Sequence, residues 1–238
     1  MTAHAHLQGS GGPASRAVLV LHGGREHGTM PTRLSQLSYL RMLDLYAGLR
    51  ARSRGTAVYL LRYRVRGWNP GRSVPDPVAD ARWALDQIAE RHPGAPIALL
   101  GHSMGGRAAF AVSDHPSVVG ICGLAPWLPQ AEPLPVVDAL RSYVIAHGTA
   151  DRMTSPSLSR SYARRLRAAG GRVARFELPA GAHAMLDSPA LWHRFAVSTT
   201  LGLAGQQPMP PAIAAALAGH DPRTGLETPL ADALAGAA

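Results

Sequence analysis

The chain has 238 residues, of which 46% are hydrophobic and 16% charged, and its formal net charge at pH 7 is +9. This length suits one domain with a substantial core. The chain contains no apolar run of the roughly 20 residues a membrane helix needs and no apolar signal segment, which predicts a cytoplasmic protein without a membrane partner. Its single cysteine, Cys122, excludes an internal disulfide and a cysteine-cluster metal site.

The positive charge comes entirely from arginine, because the 24 basic residues include no lysine. Such an excess can mark nucleic-acid binding. Four of the arginines instead share one predicted helix, where they are expected to form its solvated face: Arg160, Arg164, Arg165 and Arg167. The pattern favours a protein with no nucleic-acid partner.

Six short apolar runs predict strands, in chain order at 17–21, 57–61, 96–100, 118–124, 143–146 and 173–178. Helical periodicity lies between most of them and is clearest at 76–91, which starts with Asp76 and Pro77. Ser155-Pro156 and Ser188-Pro189 mark two further helix starts. This alternation predicts an α/β fold with a mostly parallel central sheet and helices on both faces.

The predicted α/β domain covers residues 16–205. A flexible leader is expected over residues 1–15. From residue 206 the strand pattern stops and Pro- and Ala-rich sequence takes over, which predicts a flexible C-terminal tail over 206–238 with one short helix near 212–218.

The strongest motif is Gly-His-Ser-Met-Gly-Gly at 101–106, directly between a predicted strand and a predicted helix. A turn this sharp strains the residue at its tip, and small residues two positions before and after let the chains pass. Gly101 and Gly105 occupy those places. The motif therefore predicts Ser103 as a nucleophile, with the backbone N–H of Met104 pointing into the same space.

A serine hydroxyl needs a base to take its proton and a carboxylate to orient that base. Asp151 follows the predicted strand at 143–146, and His183 follows the one at 173–178. Both loops lie at the carboxyl edge of the predicted sheet, and the order Ser103, Asp151, His183 suits this architecture. Asp187 is the best alternative carboxylate, although its place four residues after His183 favours a role in starting the last helix.

Among the other histidines, His22 and His147 stand at strand ends in His-Gly pairs that more simply brace loops, and His102 is expected to point away from Ser103.

The turn at 22–25 supplies candidate donors for an oxyanion, first the N–H of Gly24 and second that of Arg25. Neither a cysteine cluster nor a His-Glu ligand pattern is present, so we expect no metal and no organic cofactor.

Together, LHGG, GHSMGG, HGTAD and GAH resemble the motifs of the α/β-hydrolase superfamily, in kind and in order, over roughly residues 16–203. The resemblance implies the α/β-hydrolase fold. One loop departs from the family, which often carries R-G-x-G-x-S: Trp68 and Asn69 replace the usual aromatic or histidine and the second glycine.

Many such hydrolases insert a helical lid after the fourth of these strands, but only about 17 residues (125–141) are available here. We therefore expect no large cap domain and an open pocket with apolar walls. The predicted substrate contacts are Trp68, Trp127, Met153 and Met185. Arg62, Arg64 and Arg66 alternate along one extended segment, which indicates either a carboxylate-bearing substrate or, more simply, bracing of loops.

The sequence thus predicts a serine hydrolase of the carboxylesterase type that cleaves a small-molecule carboxylic ester or thioester. An acyltransferase or an editing thioesterase on the same fold is the alternative, although editing thioesterases usually have an aromatic-rich turn in place of LHGG. A non-catalytic binding protein is expected to have lost a member of the triad, and none is missing here.

Overall fold

An eight-stranded sheet forms the centre of the computed structural model, which describes residues 4–9, 12–138, 140–219 and 225–234. Its order is β1-β3-β2-β4-β5-β6-β7-β8, with β1 antiparallel to β3 and every other pair parallel. The strands are β1 (His6–Gly9), β2 (Arg16–Leu21), β3 (Thr56–Arg62), β4 (Ile97–His102), β5 (Val118–Leu124), β6 (Ser142–Gly148), β7 (Arg172–Leu178) and β8 (Thr228–Pro229).

Helices cover both faces of this sheet. They are α1 (Leu37–Arg52), α2 (Asp76–Arg91), α3 (Met104–Ala111), α4 (Pro156–Ala168), α5 (Pro189–Leu203) and α6 (Pro211–Ala218). Alternate residues of one strand enter different cores: Val18 and Val20 pack with α1, α5 and α6, whereas Leu19 and Leu21 pack with α2, α3 and α4. Both faces of the central strands are buried, which explains why their sequences are apolar without alternation.

The predicted fold class is confirmed, and each of the six predicted strands appears with its ends shifted by at most two residues. The helix predicted at 76–91 has those bounds. Helix α1 was not predicted, and it carries residues of the candidate site described below.

The structure differs from the prediction at both ends of the chain. Part of the predicted leader forms β1, which pairs with the outer edge of β3 and satisfies its backbone groups. The predicted tail contains the expected short helix as α6, and it adds β8 beside β7. Ile213 and Leu230 from this segment are fully buried. The positions 1–3, 10–11, 220–224 and 235–238 of the predicted leader and tail lie outside the described residues.

Arg164 of α4 is exposed, as predicted, whereas Arg160 and Arg165 are half-buried and Arg167 is buried. Arg167 is 7% exposed and donates to the carbonyl oxygens of Val173 in β7 and Ala216 in α6. Arg160 forms an ion pair with Glu177 at 2.7 Å. None of the helices in the described ranges is both long enough and apolar enough to cross a bilayer.

Candidate active site

Ser103 stands at the tip of the turn from β4 to α3 and has φ 56° and ψ −119°. This left-handed region is strained for a residue with a side chain. The turn is possible because its neighbours are small: a Cβ on Gly101 would collide with the backbone of Gly105, and one on Gly105 would collide with the carbonyl of Leu21. The Ser103 side chain is thereby held above the carboxyl edge of the sheet.

Two loops bring an imidazole and a carboxylate to this serine. His183, in the loop between β7 and α5, has its Nε2 3.1 Å from Ser103 Oγ. Its Nδ1 lies 2.7 Å from Oδ2 of Asp151, in the loop between β6 and α4. The carboxylate accepts from Nδ1–H, which leaves the Nε2 lone pair facing the hydroxyl. In this tautomer His183 can take the Ser103 proton.

Asp151 is held by donors on both oxygens. Oδ1 accepts the backbone N–H groups of Met153 (2.8 Å) and Thr154 (3.0 Å), and Oδ2 also accepts the Thr154 hydroxyl (2.9 Å). Burial alone would raise the pKa of Asp151, but the hydrogen bonds from His147, His183 and the Thr154 backbone hold it well below its usual range. The carboxylate therefore stays ionised beside the imidazole.

Two further histidines support this arrangement from behind. His147 is fully buried, and its Nε2 lies 3.2 Å from Asp151 Oδ2; burial lowers the pKa of His147 while that contact opposes the change. His102 does not approach Ser103 as a base. It donates from Nε2 to the His183 carbonyl at 3.1 Å, and burial lowers its pKa to about 3. Both imidazoles are therefore neutral in the folded chain.

Asp187 lies in the base loop but away from the imidazole. Its Oδ2 accepts the N–H of Ala182 at 2.7 Å, one residue before His183. The side chain thus fixes the backbone of the loop instead of starting α5, whose first residue Pro189 follows Ser188. Asp151 is the carboxylate within hydrogen-bonding distance of His183.

The candidate oxyanion donors come from two places in the chain, the start of α3 and the turn that follows β2. Met104 is the first residue of α3, so its N–H has no acceptor within the helix. Gly24 packs against the Met104 side chain and the Arg66 carbonyl so closely that a Cβ would clash with both. The N–H of Arg25, the second choice from the sequence, already donates to the Arg66 carbonyl at 2.8 Å. Gly24 is therefore the remaining candidate of this turn.

A cavity of about 590 Å³ opens above Ser103. Two of the predicted substrate contacts, Trp127 and Met153, line it. The structure does not bring Trp68 and Met185 to it. Both are core residues, 4% and 6% exposed. The full lining is Gly23, Gly24, Arg25, Glu26, Leu37, Ser38, Arg41, His102, Ser103, Met104, Trp127, Met153, Thr154, His183 and Ala184.

Trp68 supports the cavity wall from behind. The Arg107 guanidinium lies between the rings of Trp68 and Trp127, 4.0 and 4.5 Å from their centres, and pairs with Glu132 at 2.6 Å. Asn69 has φ 55°, which asparagine tolerates, so it can stand where the family pattern has glycine. This loop thus keeps a left-handed residue despite its altered sequence.

Sequence reasoning missed Thr154 and Arg41. The Thr154 hydroxyl lies 2.9 Å from Asp151 Oδ2 and 3.1 Å from His183 Nδ1. Its position three residues after Asp151 is the sequence feature that could have predicted this contact. Nothing in the local sequence marks Arg41. The arginines that were singled out brace loops instead: Arg64 pairs with Asp80 and lies 3.5 Å from Asp76, and Arg62 donates to the Thr32 carbonyl.

Comparisons with known proteins bear on the fold. Residues 53–144 match the family model of serine aminopeptidases, S33. An α/β-hydrolase enzyme from a Medee basin deep-sea metagenome library superposes with a TM-score of 0.63 at 18% identity, over 81% of this chain and 86% of that one. This chain has the α/β-hydrolase fold. The sequence motifs predicted that fold.

Two more solved structures share the α/β-hydrolase fold with this protein. A serine hydrolase without lid from Xanthomonas campestris gives a TM-score of 0.58 at 15% identity, over 80% of this chain and 82% of that one. A thermophilic esterase from Thermogutta terrifontis, with propionate bound, gives 0.58 at 19% identity, over 85% and 88%. No curated protein sequence matches this chain.

Among the residues that the structure describes, no group of three or more histidine, cysteine, aspartate or glutamate side chains is arranged to hold a metal ion. The polar groups around Ser103 include hydrogen-bond donors, hydrogen-bond acceptors and charged side chains. Such a set can move a proton and stabilise an oxyanion.

Proposed function

We propose that this α/β-hydrolase-fold protein is a serine hydrolase that cleaves a carboxylic ester or thioester through an acyl-enzyme intermediate. One observation carries the proposal: Ser103 Oγ, His183 and Asp151 are joined by contacts of 3.1 and 2.7 Å at the floor of an open cavity. These are the distances that proton transfer from a serine nucleophile requires.

In the first half-reaction, Ser103 Oγ attacks the carbonyl carbon while His183 Nε2 takes the hydroxyl proton. The tetrahedral intermediate collapses when its bond to the leaving oxygen or sulfur breaks, and His183 returns the proton to that atom. In the second half-reaction a water loses its proton to His183 and attacks the acyl carbon. The bond to Ser103 Oγ then breaks, His183 returns the proton to Oγ, and the acid is released. Asp151 stays ionised throughout and stabilises the imidazolium.

The negative charge on the carbonyl oxygen needs donors that are in place before the reaction. We assign this role to the backbone N–H groups of Met104 and Gly24, two residues that line the same cavity as Ser103. Removing one such donor typically costs about 10²- to 10³-fold in kcat. Both are backbone groups, so substitution of either side chain acts only by moving the turn.

The substrate is a small molecule whose acyl portion packs against Trp127 and Met153. The open, lidless cavity favours this class, and the propionate bound to the similarly folded Thermogutta esterase supports a short acyl group.

The matched aminopeptidase model raises amide cleavage as the competing activity. An aminopeptidase needs acidic groups for the substrate's ammonium group, whereas this cavity holds Arg25 and Arg41 against a single exposed Glu26.

A fluorophosphonate probe tests the nucleophile directly. Intact-mass analysis should show one label per wild-type chain and none on Ser103→Ala, whose kcat falls on the order of 10⁶-fold, as in a triad knockout. Ser38→Ala is the matched control, because Ser38 lines the same cavity and should leave the label in place. Labelling that survives in Ser103→Ala would move the nucleophile to another residue.

The bond class is tested with p-nitrophenyl esters of rising chain length, a thioester and aminoacyl p-nitroanilides. We expect kcat/KM to be highest for an ester or thioester. Faster cleavage of the anilides would replace the proposed activity with amide hydrolysis, and transfer to an added alcohol in preference to water would make the protein an acyltransferase.

A further inference from the structure

Arg41 extends from α1 into the wall of the cavity that holds Ser103. Arg41 lies about one turn after Leu37 and Ser38, and all three line the cavity, so one face of α1 forms this wall. One guanidinium nitrogen of Arg41, Nη1, is buried and has no hydrogen-bond partner among the described residues. A buried charged donor without a partner costs folding free energy, and a ligand acceptor would recover it.

The acids near Arg41 are directed elsewhere. Asp44, three residues further on α1, is 81% exposed and lies 3.8 Å from His193. Glu26 lines the cavity, but its side chain is 60% exposed and lies 3.8 Å from His27. Arg41 therefore differs from Arg64 and Arg107, each of which is paired with a buried carboxylate. The positive charge of Arg41 therefore faces the cavity without a paired carboxylate. The same charge contributes to the lowered pKa of His102.

Arg41 also stands at the border of a second cavity. This space of about 300 Å³ shares Arg41 and Ala184 with the first, and most of its other lining residues are apolar: Leu40, Leu45, Met185, Leu186, Pro189 and Trp192. Asp44 and His193, which lie 3.8 Å from each other, also line it. An anion at Arg41 would thus have apolar walls on one side and the reacting serine on the other.

We propose that Arg41 binds an anionic oxygen group of the substrate, a carboxylate or a phosphate, at a point away from the carbonyl that Ser103 attacks. The inference rests on the serine hydrolase function proposed above and narrows its substrate class to negatively charged esters or thioesters. The guanidinium suits this role, because its fork of N–H donors matches two oxygens of a carboxylate or phosphate. The anion belongs either to the acyl chain or to the leaving group.

Matched ester pairs distinguish the two sources of the anion. Mono-p-nitrophenyl glutarate and p-nitrophenyl pentanoate differ in a charge on the acyl chain, whereas 4-acetoxybenzoate and its methyl ester differ in a charge on the leaving group. We expect wild-type kcat/KM to favour the anionic member of one pair. Arg41→Gln should reduce that preference by about 10- to 100-fold, which is the usual effect of losing a hydrogen bond to a charged group.

Arg50→Gln is the control, because Arg50 lies on the same helix, is exposed and does not line the cavity. It removes the same charge from the chain and should retain the wild-type preference. Equal preferences in wild type and Arg41→Gln for both pairs would overturn the proposal. So would a wild type that cleaves the neutral member of each pair at least as well.

Binding to an inactive chain separates this inference from the proposed activity. Calorimetric titration of Ser103→Ala with glutarate and with phenyl phosphate should show binding tighter than that of neutral glutaramide. Adding Arg41→Gln should weaken it by about 10- to 100-fold. If the wild type cleaves no ester, the proposed function fails and this titration still decides the subsite. Anions that bind no better than glutaramide would exclude it.

Discussion

Asp151 links His183, the proposed general base, to the loop between β6 and α4. One carboxylate oxygen faces His183 and His147, and the other accepts two backbone N–H groups of its own loop. The Thr154 hydroxyl connects this carboxylate to the loop after β5, since it also lies 3.1 Å from the carbonyl of Ala125. The orientation of the imidazole thus depends on residues from three loops.

Asp151→Asn should lower kcat/KM by roughly 10⁴-fold, as in the comparable triad variant, because an amide cannot stabilise the required tautomer and the imidazolium. Asp187→Asn should cost far less, because its contact with Ala182 only shapes the loop. We would measure both from pH 5 to 9 with one activated ester. The pKa of Asp151 is held well below its usual range, so it should not titrate in this window. If Asp187→Asn loses most of its activity while Asp151→Asn keeps the wild-type rate, Asp187 and not Asp151 is the acid that orients His183.

At the scale of elements, the described residues 206–219 and 225–234 belong to the packed structure. Helix α6 buries Ile213 and Leu217 against the core on the α1 side of the sheet, and Leu230 and Ala233 follow them into it. The Ala- and Pro-rich sequence of this segment hid its contribution to the core. Only a few apolar residues among many alanines and prolines are needed to cover one edge of the sheet.

Ile213→Ala should destabilise the protein by about 2–5 kcal/mol, the usual cost of truncating a fully buried isoleucine. Urea unfolding at neutral pH measures this change. Val136→Ala is the control, because Val136 is 74% exposed and should change the free energy of unfolding by less than about 0.5 kcal/mol. Equal stabilities of the two variants would show that α6 is not part of the cooperative unit.

At the scale of the whole molecule, buried neutral histidines couple folding to pH. Burial lowers the pKa of His22 to about 4 and that of His102 to about 3. Unfolded histidines have a pKa of about 6.5. Between pH 6.5 and these folded values the unfolded chain binds protons that the folded chain does not, so stability is complete above pH 6.5 and falls as the pH falls.

The free energy of unfolding should therefore be lower at pH 5 than at pH 7.5, by about 2 kcal/mol for each of these two histidines. Urea unfolding at both pH values measures the difference. His22→Gln should reduce it, whereas His27→Gln, at a side chain 73% exposed, should leave it unchanged. A free energy of unfolding that does not change between pH 5 and 7.5 would contradict the assignment of neutral buried histidines.

The amino-acid sequence alone predicts the six central strands, most of the helices and the loops that carry Ser103, Asp151 and His183. It could do so because buried parallel strands are continuous apolar runs, and because a strained turn between strand and helix requires glycine at Gly101 and Gly105. Such constraints act within a few residues along the chain, so they are visible without knowledge of the fold.

The tertiary structure was needed to show which of the predicted side chains line the cavity with that serine and which others join them. Arg41 reaches the cavity through the packing of α1, while Trp68 and Met185, apolar like many substrate contacts, are enclosed in the core. The edge pairings of β1 and β8 were likewise hidden, because each joins segments far apart in sequence. Contacts of this kind depend on how elements pack in three dimensions, and local composition and periodicity carry no record of them.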